Sequence, residues 1–129
     1  MQLPAVSVLL PYTNEGELLQ EAIQSILQQS FTDFELLLIA NRDDEHTLTI
    51  ASSFNDQRIR RISETRRGIA FALNAGLRMA HGEFIARMDA DDIAHPERLQ
   101  KQITFLTTHT DIDAVACGTT LTPATEENL

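Results

Sequence analysis

The stretch Ala5-Val6-Ser7-Val8-Leu9-Leu10-Pro11, followed by Tyr12-Thr13-Asn14-Glu15-Gly16-Glu17, decides how the rest of the chain is read. A short apolar run with little alternation suits a strand buried on both faces, as in a parallel sheet. Pro11 ends the run. Asn14 is then expected to cap a helix, with Glu17 three residues later as in a capping box. Leu18, Leu19, Ala22, Ile23, Ile26 and Leu27 recur at helical spacing and give that helix one apolar face.

The same alternation continues downstream. Phe34 to Ala40 reads as a second buried strand, Glu45 to Phe54 as a helix, and Arg58 to Ile62 as a short third strand. Gly68 to Ala80 reads as a helix with Ala70, Leu73, Leu77 and Ala80 facing inward. Gly82 is available beyond it for a left-handed C-cap. Glu83 to Met88 forms a fourth strand. Pro96 opens a further helix to about Thr108, with Leu99, Ile103 and Leu106 inward. Asp113 to Thr119 is expected to be a fifth strand, with Cys117 buried in it, and residues 121–129 a frayed polar tail. Strands alternating with helices imply an α/β fold: a Rossmann-like, mostly parallel sheet with helices on both faces.

Composition limits the function. The chain has 129 residues, enough for one domain, and 43% of them are hydrophobic. A net charge of -9 argues against a general nucleic-acid binder, which carries a basic face. A single cysteine excludes an intrachain disulfide. No apolar run reaches the roughly 20 residues of a membrane span, and no secretory signal is legible, so the expected location is cytoplasmic.

In open α/β sheets, ligands lie outside the carboxyl ends of the strands. Pro11 to Asn14, Asn41 to Asp44 and Asp89 to Asp92 all fall there. Asp89-Ala90-Asp91-Asp92 places three carboxylates in four residues. Like charges so close raise each other's pKa, and a divalent cation relieves the crowding. Hard oxygen ligands suit magnesium or manganese. By itself the triplet reads equally as a solvated acidic turn near a helix N-terminus.

The surroundings add a resemblance. Gly68-Ile69-Ala70-Phe71-Ala72-Leu73-Asn74-Ala75-Gly76-Leu77, then Ala80-His81-Gly82-Glu83-Phe84-Ile85, then Met88-Asp89-Ala90-Asp91-Asp92 and Pro96-x-x-Leu99 form an ordered series of blocks. So do Val6 to Pro11 with Asn14-Glu15, Ile26 to Phe31, and Phe34-Glu35-Leu36. The series resembles family-two glycosyltransferases over about Val6 to Gly118. The resemblance implies the nucleotide-binding half of a GT-A fold and a nucleoside-diphosphate-sugar donor, with a UDP-sugar favoured. It also implies inverting transfer with a divalent cation, magnesium or manganese.

Residue by residue, it makes Asp91 the principal metal ligand, Asp89 a contact to nucleotide or metal-bound water, and Asp92 a second ligand. Pro11 would line the base pocket. Asn14 would contact nucleotide or only cap its helix. Arg67 would meet the diphosphate or sit on a surface loop. Where the family has Asp-Asp-Gly-Ser, this chain has Ala40-Asn41-Arg42-Asp43, so Asn41 would read a base edge in place of a carboxylate. Tyr12 departs from the family order and is expected to point elsewhere. Asn74 is assigned to packing, His95 to capping or loop packing.

The family's general base falls well downstream of the acidic turn. The 129 residues are therefore read as a single donor-binding domain of a longer enzyme, with the base beyond residue 129 and the domain inactive alone. Exposed sheet surface could then pair two copies as a homodimer. Two other functions compete: a metal-dependent nucleotidyltransferase, and a noncatalytic nucleotide-binding or scaffold domain. The first usually shows a Gly-rich basic loop after its first strand, which Pro11 to Glu15 is not.

Overall fold

A computed structural model describes residues 2–121, so the tail expected at 121–129 lies, except for Leu121, outside the described residues. The element order is β1 (Val6–Tyr12), α1 (Glu17–Leu27), β2 (Phe34–Ala40), α2 (Glu45–Ser53), β3 (Ile59–Ser63), α3 (Ile69–Met79), β4 (Phe84–Arg87) and α4 (Arg98–Thr108). The four strands form one sheet in the order β3-β2-β1-β4, and every pairing is parallel. The fold is the α/β, Rossmann-like architecture expected.

β1 is buried at every residue, which matches its unbroken apolar run. Alternate side chains go to opposite faces. Val6, Val8, Leu10 and Tyr12 of β1 and Leu36 and Leu38 of β2 pack with Leu19, Ala22, Ile23 and Ile26 of α1, Ala51 of α2 and Leu99 of α4. Leu9, Leu37 and Ile39 face the other way, onto Ala72 of α3. Full burial of each such aliphatic side chain stabilises by about 1.5–3 kcal/mol.

β1 runs one residue past Pro11 despite its central position, because the proline's missing N–H falls where it costs nothing. The Leu9 carbonyl accepts from Met88 N–H on the β4 side, and the Tyr12 carbonyl accepts from Asn41 N–H on the β2 side. Pro11 has the parity of Leu9, so its nitrogen faces the β4 side. Pairing with β4 ends at Leu9 with Arg87, so no ladder bond is lost.

Several local expectations are overturned. Asn14 does not cap α1. Gly16 does, at φ 60°, and its N–H donates to Thr47 Oγ1 at 3.1 Å. Glu17 pairs with His46 at 2.7 Å rather than closing a capping box. α4 begins at Arg98, two residues after Pro96. α3 is rotated relative to its expected face: Ala72, Ala75 and Gly76 are buried, while Ala70 and Leu77 are exposed. The small residues let this helix lie close on the sheet, and a Cβ on Gly76 would come within 2.7 Å of Ile39 Cδ1.

Gly82 is not a left-handed cap either, since among described glycines only Gly16 and Gly68 have positive φ. It is required by close approach: a Cβ there would lie 2.5 Å from the Ser7 backbone nitrogen. The fifth strand is absent among the described residues. Asp113 to Thr119 has no ladder partner, and Cys117 is exposed rather than buried. An apolar alternation cannot make a strand without a neighbour to take its backbone groups.

Candidate functional site

The carboxyl ends of β1 and β2 and the segment leading into α3 enclose a cleft of about 260 Å³. Pro11, Tyr12, Glu15, Asn41, Arg67 and Ile69 are among its walls. Pro11, Asn41 and Arg67 are thus brought together, as expected of a shared pocket. Asn14 is not in its lining; it is exposed, and its Oδ1 accepts from Thr13 Oγ1 at 3.0 Å.

Asn41 is almost wholly buried, at 4% exposure. Its amide nitrogen donates to the carbonyls of Glu64 at 3.0 Å and Arg66 at 2.7 Å. Its Oδ1 accepts from Gly68 N–H at 3.1 Å. Both amide hydrogens are used, and only one oxygen lone pair is left for a ligand. The side chain therefore clamps the loop after β3 to the end of β2, a role different from base reading by donor groups. The clamp places Gly68, at φ 127° a position that favours glycine, as the N-cap of α3.

Arg66 is tied to Glu64 at 2.6 Å and lies over the Phe71 ring at 4.5 Å. Arg67 makes no ion pair among the described residues and is exposed at the cleft wall.

Tyr12 is buried in the core at 4% exposure. Burial and the adjacent Asp43 carboxylate push its phenol up to about 12. Asp43 itself leaves a buried Oδ2 without a hydrogen-bond partner. Arg42, where the resembling motif has glycine, adopts φ 56°, a conformation that costs a side chain about 1 kcal/mol. Glu15 enters the sequence reading only as part of the Asn14-Glu15 block, with no role of its own. Its Oε1 accepts from Thr13 N–H at 2.6 Å and its Oε2 from Thr13 Oγ1 at 3.2 Å, which sets the bend before α1.

The second feature is the acidic turn after β4. Asp89, Asp91 and Asp92 are exposed, and each offers an oxygen within 4.8 Å of the others. Burial pushes the Asp92 carboxyl up first, with further contributions from Asp91 and Asp89, and Arg98 opposes them. Three convergent carboxylate oxygens open to solvent fit a hard divalent cation that keeps waters and ligand oxygens. Arg87 lies 3.6 Å from Asp89. Arg98 donates to the Arg87 carbonyl at 2.8 Å and ties α4 to the end of β4. His95 has a loop role: its Nδ1 accepts from Glu97 N–H at 3.1 Å.

Residues 7–125 match the model of glycosyl transferase family 2. This chain belongs to glycosyltransferase family 2. The putative glycosyltransferase EpsE of Bacillus subtilis is 39% identical over 119 residues, which cover 89% of this chain and 43% of EpsE. Among solved structures, the mannosyltransferase PcManGT from Pyrobaculum calidifontis, in complex with GDP-Man and Mn2+, superposes with a TM-score of 0.70. It is 28% identical, over 82% of this chain and 33% of that one. S. aureus TarS in complex with UDP-GlcNAc superposes at 0.72, with 25% identity over 81% of this chain and 32% of that one. This family-2 chain thus spans less than half the length of the relatives it matches. No helix among its described residues is long and apolar enough to cross a membrane.

Proposed function

We infer that this family-2 chain binds the donor in a metal-dependent, inverting transfer of a sugar from a nucleoside diphosphate. The observation that carries the reading is the convergence of Asp89, Asp91 and Asp92 just after the carboxyl end of β4, at the same end of the parallel sheet as the cleft walled by Pro11 and Arg67. The PcManGT complex with GDP-Man and Mn2+ and the TarS complex with UDP-GlcNAc support both the ligand class and the cation.

Asp91 is assigned as the principal ligand of magnesium or manganese, Asp92 as the second, and Asp89 as the contact to nucleotide or a metal-bound water. A bound cation would supply positive charge to the departing diphosphate. Arg67 offers an unpaired guanidinium fork to phosphate oxygens. Pro11 and Ile69 provide apolar walls for a base. Asn41 holds the loop that carries Arg67. A uridine nucleotide remains the favoured donor. Acceptor binding and the general base are assigned to sequence outside these residues, since the chain covers 43% of EpsE.

Calorimetric titration with UDP, GDP and dTDP, with and without manganese, tests the reading. We expect manganese-dependent binding of at least one nucleotide, and its loss in Asp91→Ala. Nucleotide binding that ignores both manganese and Asp91→Ala would sink it.

A further inference from the structure

After the acidic turn, the chain runs from Asp92 to Glu97 without helix or strand. This segment and the start of α4 are nevertheless bonded at four points to the last turns of α1 and the residues that follow it. Ser25 Oγ accepts from Ala94 N–H at 3.0 Å. Gln29 Nε2 donates to the His95 carbonyl at 2.7 Å, and Gln29 Oε1 accepts from Leu99 N–H at 3.1 Å. Ser30 N–H donates to the Pro96 carbonyl at 2.9 Å. The second Gln29 donor goes to the Ser25 carbonyl at 3.1 Å, which fixes the amide's orientation. Gln29 is only 4% exposed. α4 has no capping side chain of its own, so Gln29 reaches across from another element to satisfy it.

The entry to the turn is held as firmly. Met88 N–H donates to the Leu9 carbonyl at 3.0 Å, and Ala90 is buried at 4% exposure. Between the Met88 and Ala94 anchors lie only Asp89 to Ile93, and all three carboxylates are among them. Charges of one sign crowded in this way spread apart unless the backbone that carries them is held. Groups that orient metal ligands from behind commonly change metal affinity by about 10–100-fold when removed.

We propose that Gln29, assisted by Ser25, is a positioning residue for the Asp89–Asp91–Asp92 carboxylates: it clamps the exit of the turn and so preorganises them for a divalent cation. The proposal rests on the functional reading above. It touches neither nucleotide nor cation directly, and so differs from a ligand role.

The test compares wild type with Gln29→Met, which keeps length and burial but removes the three hydrogen bonds. UDP and GDP are titrated calorimetrically with and without manganese, and melting is followed in parallel. Manganese-dependent binding is expected to weaken about 10-fold, while metal-free nucleotide binding stays within about twofold. A merely structural role would weaken both together, and that result overturns the proposal. If Gln29→Met does not fold, Ser25→Ala removes the Ala94 anchor together with one bond inside α1, to the Ala22 carbonyl. It is expected to weaken manganese-dependent binding about threefold, and an unchanged affinity overturns the proposal. Wild type without manganese dependence defeats the functional reading and the clamp with it. Wild-type dependence retained in full by Gln29→Met defeats the clamp alone.

Discussion

Asn41 stands where the family's common motif has a carboxylate, and its chemistry has been turned inward. An amide can donate to two carbonyls and accept from one N–H, and Asn41 does all three with Glu64, Arg66 and Gly68. A carboxylate has no donor to offer there. Asn41→Asp would set an oxygen against two carbonyl oxygens, and we expect it to destabilise by about 2–3 kcal/mol. Urea unfolding checks this, and a variant as stable as wild type would show that the loop after β3 is held by other contacts. The order of residue types around Asn41 could be read from the chain. That its hydrogens are already taken could not, because Glu64 and Arg66 come beside it only once β3 pairs with β2.

Among elements, the amino ends of the strands carry a polar brace that balances the site at the other end. Glu35 of β2 is buried. It accepts from Ser7 Oγ at 2.8 Å, from Arg60 at 2.8 Å and from His81 N–H at 2.8 Å. Ser7 Oγ in turn accepts from Gly82 N–H at 2.8 Å, so the brace ties the end of α3 to the sheet. Burial pushes the Glu35 carboxyl up, but the bonds from His81, Arg60 and Ser7 outweigh it, and the net direction is down.

A carboxylate lowered in the fold stabilises above its ordinary value and loses that contribution as pH falls through its own lower one. Wild-type stability should therefore fall below about pH 4.5 more steeply than that of Glu35→Gln. At neutral pH, Glu35→Gln should cost about 2 kcal/mol. Denaturation midpoints measured from pH 3 to pH 7 would decide it; parallel curves for the two proteins contradict the prediction. The same scale explains the rotated face of α3. Periodicity placed Ala70 and Leu77 inward, but contact distance favours Ala72, Ala75 and Gly76, and a spacing pattern does not report how near a helix lies to its sheet.

For the molecule as a whole, an acidic protein of net charge -9 is proposed to bind an anionic donor, and the cation is what reconciles the two. A ligand that binds only the folded state raises its stability by about 2.7 kcal/mol at 100 times its dissociation constant. For a domain of this size that corresponds to a rise of roughly 10 °C in Tm. We expect that rise when the bound nucleotide and manganese are present together, and not with manganese and nucleotide added to Asp91→Ala. Calorimetric melts provide the comparison.

The chain's residues alone determined the alternation of strand and helix, the buried β1 and β2, the acidic turn after β4, and the family blocks that order them. These are local signals: apolar runs, helical spacing, and residue types adjacent in sequence. Tertiary structure decided what depends on distant partners. It gave Gly82 a close approach to Ser7 instead of a cap, and left Asp113 to Thr119 without the neighbour a strand requires. It also turned Asn41 and Gln29 into clamps. A hydrogen bond spanning 70 residues, as from Leu99 to Gln29, leaves no local trace, because each partner's own neighbourhood is satisfied by many other choices.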